Sequence, residues 1–324
     1  MAVFTEVGFD QAAALVAQLG LGRLEALEPI RAGIENTNYF ASAECGEYVL
    51  TVFERLSFEQ LPFYLHLMKH LAQRGILVPE PQADARGGIL HALHGKPAAL
   101  VDRLRGGHAS APSAQHCEQV GAALARMHLA AADYPREQPN LRGLAWWDET
   151  VPQVRPFLTD AQRSLIDGEL AFQHSVAASA SYAALPRGPI HADLFRDNVM
   201  FENDAEGQPR LAGFFDFYFA GVDALAFDIA VCLNDWCIDQ GSGRLDEERA
   251  AAFVAAYETV RPLTGDEVRL MPALLRAAAL RFWISRLWDV HLPREASMLV
   301  PHDPGHFERV LRERSATPWH PQRG

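Results

Sequence analysis

Three polar residues with the chemistry of phosphate and metal binding stand in the middle of the chain. Asp193 and Asn198 lie five positions apart in a polar loop that follows an apolar run, and Asp216 comes after a later apolar run. The segment 203–207, Asn-Asp-Ala-Glu-Gly, consists of residues that accept turn geometry, so the pattern predicts a hairpin. This hairpin would carry the three side chains to one end of a small sheet.

These side chains suit the transfer of a phosphoryl group from a nucleotide. In that reaction a protein mainly positions the attacking hydroxyl and the metal-bound phosphates. The order fits a kinase catalytic loop, in which an Asp faces the hydroxyl, an Asn five positions later holds Mg²⁺, and a second Asp holds Mg²⁺ from the next strand. His191, two positions before Asp193, would brace the loop. The alternative is a polar hairpin turn with incidental carboxylates.

The composition bounds the class of protein. A chain of 324 residues with 49% hydrophobic residues can bury a sizeable core, as one large domain or as two lobes. The 29 basic and 41 acidic residues give a net charge of −12, which argues against a nucleic-acid or anionic-membrane surface. The composition is compatible with a small polar substrate.

The cysteines and the apolar runs bear on location. The four cysteines, at 45, 117, 232 and 237, form no C-x-x-C pair and no zinc-ligand spacing, and the N-terminus has no signal-peptide pattern. No apolar run reaches the roughly 20 residues of a membrane span. We therefore expect a reduced, soluble, cytoplasmic protein.

The first third of the chain predicts a sheet with helices. Short apolar runs broken by turns indicate a three-stranded antiparallel meander, and its first turn, from Gly33 to Asn38, could close over phosphates as glycine-rich loops do. An ordinary Asn-rich hairpin turn is the alternative reading of that segment. The predicted elements are helices at 5–19 and 61–74 and strands at 27–30, 39–43, 48–53, 89–91 and 97–101.

The rest of the chain predicts mostly helices. His128 lies on an amphipathic helix, where we expect it to be a partly buried packing residue. Asp228 begins an apolar helix and could accept backbone N–H bonds from the loop at 191–198. The chain from Pro301 is expected to be a partly ordered tail. The predicted elements are helices at 117–132, 160–184, 247–260 and 267–291, a loop at 135–147 and hairpin strands at 198–201 and 211–215.

The central motifs resemble those of the aminoglycoside-phosphotransferase-like kinases. The triplet 191–193 (His-Ala-Asp) with Asn198 is similar to their catalytic loop, and 215–217 (Phe-Asp-Phe) to their metal-binding motif. The resemblance implies a two-lobed α+β fold of the protein-kinase type that phosphorylates hydroxyls of small molecules. Its small antiparallel-sheet N-terminal lobe, which binds the nucleotide, would span 1–104. Its larger, mostly helical C-terminal lobe, with the catalytic and substrate-binding residues, would span 105–324.

Within that group the chain resembles the homoserine kinase branch. The resemblance runs from about residue 1 to about residue 312 and implies ATP-dependent phosphorylation of the side-chain hydroxyl of L-homoserine, a step towards threonine. The motifs that carry it are Gly-Ile-Glu-Asn-Thr-Asn-Tyr at 33–39, Leu-Pro-Phe-Tyr-Leu at 61–65, Ile-His-Ala-Asp-Leu-Phe at 190–195, Asp-Phe-Tyr-Phe-Ala at 216–220, Leu-Arg-Phe-Trp at 280–283 and Ser-Arg-Leu at 285–287.

The resemblance also implies roles for single residues. Asp193 would be the catalytic base, braced by His191, and Asn198 and Asp216 would be the Mg²⁺ ligands. ATP would be covered by the turn and would place its adenine against a hinge segment. The residues assigned to the nucleotide are Gly33, Asn36, Thr37 and Asn38 in the turn and Val101, Asp102 and Leu104 in the hinge.

An amino-acid acceptor needs a cation for its carboxylate and an acid for its ammonium group. Asp235 ends an apolar helix, and Arg281 and Arg286 lie on a later helix, so these three residues are candidates for binding the acceptor. Interhelix salt bridges are the alternative for the two arginines.

One position departs from the wider kinase pattern. The third strand of such kinases usually carries a Lys that reaches the α- and β-phosphates, and this chain has Thr51 at the expected place. Arg55 or Lys96 could take over that contact, and neither is assigned to it.

Two other functions stay open on the sequence. One is a kinase of the same fold that acts on an aminoglycoside, choline or a sugar, and the other is a catalytically dead kinase-like binding module. The missing strand Lys favours the second, whereas Asp193, Asn198 and Asp216 argue against it. The expected partner is a small molecule rather than a nucleic acid or a membrane, and the chain could be a monomer or a homodimer.

Overall fold

The computed structural model describes residues 5–30, 36–292 and 302–321. The chain forms two compact units. The first unit contains the chain up to Arg105 together with Ala212–Tyr218, and the second contains Gly106–Leu211 and the described residues from Phe219 onward. The nucleotide-binding and catalytic roles expected for 1–104 and 105–324 stay predictions.

A five-stranded antiparallel sheet, in the order β1-β2-β3-β5-β4, forms the first unit. The expected meander is present, because β2 pairs with β1 on one side and with β3 on the other. The elements are α1 (Phe9–Gln18), β1 (Leu24–Ile30), β2 (Thr37–Ala43), β3 (Gly46–Val52), α2 (Leu61–Ala72), β4 (His91–Leu93) and β5 (Lys96–Asp102).

The two faces of this sheet have different surroundings. Tyr39 of β2 pairs with Leu50 of β3, which pairs with Leu100 of β5, and all three belong to one apolar core that includes Leu15 and Val16 of α1. Because side chains alternate along a strand, the residues between them point to the opposite face. The register therefore fixes which side chains α1 covers.

Helices dominate the second unit, with two short antiparallel strand pairs, β6 with β9 and β7 with β8. Strand β8 begins in this unit and ends in the first. The elements are α3 (Ala114–Ala130), α4 (Leu144–Val154), α5 (Asp160–Ala177), α6 (Ala180–Ala183), β6 (Arg187–Ile190), β7 (Val199–Asn203), β8 (Pro209–Phe214), β9 (Gly221–Ala224), α7 (Leu225–Trp236), α8 (Glu247–Val260), α9 (Gly265–His291) and α10 (Pro304–Ala316).

Three expectations for this unit were wrong. The helix expected over 160–184 is two helices, because Ser179 caps a new helix by accepting a hydrogen bond from the backbone N–H of Tyr182. The segment 135–147 is not all loop, since α4 begins at Leu144. The chain from Pro301 contains α10, whose Phe307 and Leu311 are buried against the unit.

Over residues 5–30, 36–292 and 302–321, no helix has both the length and the hydropathy needed to cross a bilayer.

Helices α3 and α8 come close enough that a side chain is excluded between them. A Cβ atom on Gly121 of α3 would overlap the backbone carbonyl oxygen of Phe253 of α8. Backbone atoms in a packed helix pair cannot move aside without shifting the helix, so this position requires glycine.

We expect Gly121→Ala to lower the free energy of unfolding by about 1–3 kcal/mol, because the added methyl group forces the two helices apart. Gly168→Ala in α5 is the matched control, since nothing lies within 4 Å of its added Cβ. That change should raise stability by about 0.5–1 kcal/mol through better helix propensity. Urea unfolding of both variants measures the difference, and equal midpoints would contradict the close contact.

Candidate functional site

The loop between β6 and β7 is tied to α7 by one buried carboxylate. Asp228 accepts hydrogen bonds from the backbone N–H of His191 at 2.7 Å and of Ala192 at 2.8 Å. Ala192 has a φ of 63°, a left-handed conformation that disfavours a residue with a Cβ. His191 and Asp228 are fully buried. The tie that the sequence suggested for Asp228 is thus present, and it holds a strained turn in place.

Behind this carboxylate lies a chain of buried polar groups. His128 Nε2 lies 3.2 Å from Asp228 Oδ2, and His128 Nδ1 lies 2.8 Å from the hydroxyl of Tyr257. Arg261 donates a hydrogen bond to the same hydroxyl. Burial raises the pKa of Tyr257 above its ordinary value, so its hydroxyl stays protonated. His128 is buried, and beyond the packing role expected for it, it is a hydrogen-bonding partner of Asp228.

Asp193 and Asn198 are joined within the loop. The side-chain amide of Asn198 donates to the backbone oxygen of Asp193 at 2.8 Å and approaches its carboxylate at 3.4 Å. Backbone N–H groups of Phe195 and Asn198 close the turn by bonding to the carbonyls of Asp193 and Phe195. Because the amide nitrogen of Asn198 is used in this way, its amide oxygen is the atom that could serve as a metal ligand.

A buried cation lies beside the Asp193 carboxylate. Arg281 Nη1 of α9 is 3.8 Å from Asp193 Oδ1, and the Arg281 side chain is 3% exposed. Its guanidinium carbon lies 4.9 Å from the ring centre of Phe219 and 3.8 Å from that of Phe282. Burial lowers the pKa of Arg281 to about 10, and the charge of Asp193 acts in the opposite direction. The structure thus brings two of the predicted site residues together.

The other two acceptor candidates have contacts of their own. Both carboxylate oxygens of Asp235 bind Arg196, through the backbone N–H at 2.8 Å and the guanidinium at 3.1 and 3.3 Å. Burial raises the pKa of Asp235, and Arg196 counteracts that shift. Arg286 Nη1 donates to the backbone oxygen of Asp303. Their acceptor roles stay predictions, and Arg196 is a loop residue that the sequence reasoning did not single out.

Asp216 belongs to the first unit and follows β8. Its φ of 66° is left-handed, which is uncommon for a residue with a side chain and is found at functional sites. No group of three or more His, Cys, Asp or Glu residues able to hold a metal occurs within the described parts of the chain. Asn198 and Asp216 offer oxygen atoms, the donor type that Mg²⁺ prefers, and their roles as metal ligands stay predictions.

The predicted phosphate turn is described only in part. Gly33 lies outside the described residues, and Asn36 has its side-chain oxygen 3.4 Å from the backbone nitrogen of Glu54. Thr37 is buried on the α1 side of the sheet, where its hydroxyl donates to Glu54. Asn38 points to the other face, where it accepts a hydrogen bond from Thr51 at 2.7 Å. The nucleotide roles of these residues stay predictions.

The predicted hinge residues lie at the end of β5. Val101 is buried and pairs with Pro81. The Asp102 backbone N–H bonds to the carbonyl of Glu80, and burial raises the pKa of its carboxyl. Leu104 packs close to Gly213. Their contact with adenine also stays a prediction.

The register of the sheet shows whether Lys96 can take the place of the lysine expected at Thr51. Thr51 pairs with Ala99, so its side chain lies on the face opposite to Leu100. Lys96 is on the α1 face, where it binds Glu54 at 2.5 Å and Thr5 at 2.8 Å. Burial by itself would raise the pKa of Glu54, and the hydrogen bonds from Lys96 and Thr37 lower it below its usual value. Lys96 therefore cannot replace the lysine expected at Thr51.

Comparison with known proteins identifies the family. The model of the phosphotransferase enzyme family matches residues 26–263. A homoserine kinase of Polaromonas naphthalenivorans is 68% identical over 319 residues, which cover 98% of this chain and 99% of that protein. A homoserine kinase of a Janthinobacterium species is 58% identical over 320 residues, which cover 98% of each chain.

Solved structures with the same fold are more distant in sequence. An amicoumacin kinase superposes with a TM-score of 0.66 at 18% identity and covers 94% of this chain and 92% of its own. A spectinomycin phosphotransferase superposes with a TM-score of 0.67 at 11% identity and covers 95% of each chain. At such low identity the likeness establishes the fold alone, and it confirms the expected α+β fold of the protein-kinase type.

We expect Asp228→Asn to destabilise the loop, because an amide has a single acceptor oxygen for the two N–H groups of His191 and Ala192. The free energy of unfolding should fall by about 2–3 kcal/mol, the scale of buried hydrogen bonds to charged groups. Amide hydrogen exchange at His191 and Ala192 should become faster by more than the fall in the free energy of unfolding accounts for.

Asp160→Asn is the matched control, since that side chain is 98% exposed. Its effect should stay within about 0.5 kcal/mol. Urea unfolding and exchange measured by NMR test both variants, and equal stabilities would show that Asp228 does not hold the loop.

Proposed function

Since the chain belongs to the phosphotransferase enzyme family, we propose that it transfers the γ-phosphoryl group of ATP to the side-chain hydroxyl of L-homoserine. The observation that carries the choice of acceptor is the near-complete match, at 68% and 58% identity, to proteins named homoserine kinase. Such identity over 98% of the chain includes the acceptor-binding parts as well as the catalytic loop. The product is O-phosphohomoserine, an intermediate on the way to threonine.

Asp193 is the general base of this reaction. The hydroxyl oxygen of the acceptor forms a bond to the γ-phosphorus while the bond to the β,γ-bridging oxygen breaks, and the hydroxyl proton passes to the Asp193 carboxylate. The acceptor must be held in line with the phosphate, so a fixed loop contributes through positioning. The hydrogen bonds that the loop backbone donates to Asp228 and accepts from Asn198 support this role.

The nucleotide is ATP bound with Mg²⁺. The amide oxygen of Asn198 and the carboxylate of Asp216 would hold the metal, since both are hard oxygen ligands. When bound, Mg²⁺ neutralises the charge that builds up on the phosphates. In this proposal the first unit supplies the nucleotide contacts and the second unit supplies the acceptor contacts. The cytoplasmic location stays a prediction.

The first alternative is the same chemistry on another small hydroxyl compound. Aminoglycosides and choline are cationic and would need an acid-lined pocket. Arg281 beside the predicted base favours an anionic group on the acceptor instead. The second alternative, an inactive binding module, finds support only in Thr51, while the ordered loop around Asp193 argues for catalysis.

We expect purified enzyme to phosphorylate L-homoserine with a kcat/KM about 10²-fold or more above that for L-serine, choline or kanamycin, because buried charged contacts to an amino acid select strongly. An ADP-release assay with mass detection of the product, run over this panel with ATP and Mg²⁺, measures the ratios. A larger kcat/KM for choline or kanamycin would overturn the acceptor and leave the kinase activity in place.

We expect Asp193→Asn to lower kcat by roughly 10²-fold or more, since the amide keeps the size of the side chain and removes its basicity. ATP affinity and the melting temperature should change little. Asp197→Asn is the matched control, because it makes the same chemical change at an exposed position of the same loop.

His191→Ala should show the opposite pattern, with a loss of stability on the order of 1–3 kcal/mol from a buried position. Steady-state kinetics, ATP titration and melting of the three variants test this division of roles. An Asp193→Asn enzyme that works as well as Asp197→Asn would remove Asp193 from the mechanism.

A further inference from the structure

Arg281 is a buried cation whose hydrogen-bonding capacity is only partly used. Its side chain is 3% exposed, and its Nη1 lies 3.8 Å from the carboxylate of Asp193. Within residues 5–30, 36–292 and 302–321, its Nε and Nη2 atoms have no hydrogen-bond partner. The two atoms belong to the side edge of the guanidinium group, which presents a parallel pair of N–H donors.

Such an edge is expensive to leave unpaired. Each buried N–H group without an acceptor costs free energy, and a buried charge costs more unless an anion accompanies it. Burial lowers the pKa of Arg281 to about 10, which leaves the guanidinium protonated at neutral pH. The edge formed by Nε and Nη2 matches a carboxylate, which binds it through two parallel hydrogen bonds.

Charges of both signs surround Arg281. Arg142 acts on Arg281 as a second positive charge and helps to lower its pKa. The ring of Phe219 lies near both cations, 4.9 Å from Arg281 and 5.8 Å from Arg142. Asp193 and Asp289 oppose this field. Arg281 thus carries a buried, unpaired donor edge and has a second cation, Arg142, near it.

Other arginines of this unit are less suited than Arg281 to bind an anionic ligand. Arg286 donates to the Asp303 backbone oxygen, and four carboxylates act on it, those of Asp193, Asp197, Asp235 and Asp303. An anionic ligand would meet repulsion there. Arg196 is occupied by Asp235 and by the backbone oxygen of Ser110. Arg314 is equally buried but directs its Nε to Asn234.

We propose that the Nε–Nη2 edge of Arg281 binds the α-carboxylate of the acceptor while Asp193 holds the acceptor's hydroxyl, an assignment that rests on the proposed function. Four bonds separate the hydroxyl oxygen of L-homoserine from its carboxylate carbon, and three separate them in L-serine. Because Arg281 and Asp193 stand next to each other, the acceptor must bend its chain to reach both. Arg281 is then a specificity-determining residue, because it selects acceptors by the distance between their hydroxyl and their carboxylate.

The test compares two acceptors that differ only in the carboxylate. 3-Aminopropan-1-ol is L-homoserine without that group, and its kcat/KM in the wild-type enzyme should be about 10²-fold or more below that of L-homoserine. In Arg281→Gln this ratio should shrink to within about fivefold, because the partner of the carboxylate is gone. Arg281→Lys should restore little of it, since a Lys has no planar fork.

Arg269→Gln is the matched control on the same helix, because that side chain is 65% exposed and pairs with Asp266 at the surface. It should keep the wild-type ratio and melting temperature. If Arg281→Gln lowers kcat/KM equally for both acceptors, Arg281 acts on Asp193 or on the phosphoryl group and the proposal is wrong. The proposal is also wrong if Arg286→Gln, rather than Arg281→Gln, removes the discrimination.

A binding measurement separates this proposal from the proposed function. Calorimetric titration with 4-hydroxybutanoate, which keeps the hydroxyl and carboxylate and lacks the ammonium group, should show binding to the wild type and about 10²-fold weaker binding to Arg281→Gln. If the wild type does not phosphorylate L-homoserine yet binds this probe through Arg281, the acceptor is wrong and the carboxylate site stands. If L-homoserine is phosphorylated and the probe binds both proteins equally, the site is wrong and the function stands.

Discussion

The conformation of the loop between β6 and β7 depends on the Asp228 carboxylate. This group accepts hydrogen bonds from two consecutive backbone N–H groups, those of His191 and Ala192, and thereby holds Ala192 in a left-handed conformation. A buried carboxylate is costly unless it is fully hydrogen-bonded, and His128 supplies the remaining partner. The rest of the second unit follows from this requirement, because α3 must bring His128, and α8 must bring Tyr257, to the same buried place.

The charged pairs of the second unit differ in whether their hydrogen-bonding groups are all used. Asp235 and Arg196 satisfy each other through hydrogen bonds from the backbone and the guanidinium group of Arg196. Arg281 has a neighbouring carboxylate but an unused donor edge. Nε and Nη2 of Arg281 are among the buried polar atoms that lack a partner in the described residues, and their place beside Asp193 is the reason for proposing a ligand there.

The first unit shows how strand register can exclude a residue that composition leaves eligible. Lys96 and Thr51 lie on neighbouring strands, yet alternation sends their side chains to opposite faces. On its own face Lys96 closes a cluster with Glu54, Thr5 and Thr37. The usual strand lysine is therefore absent, and the face that Thr51 shares with Asn38 carries a hydrogen bond between these two side chains.

Local sequence determined much of this protein. The spacing of Asp193 and Asn198, the turn at 203–207 and the apolar periodicities gave the hairpin, the meander and most helices, since each depends on residues close in the chain. Tertiary structure alone decided the pairings that complete the site. His128 and Asp228 are 100 positions apart, and Arg196 and Asp235 are 39 apart. Such contacts depend on how the helices pack. The residues next to a side chain in the sequence do not determine which distant group it contacts.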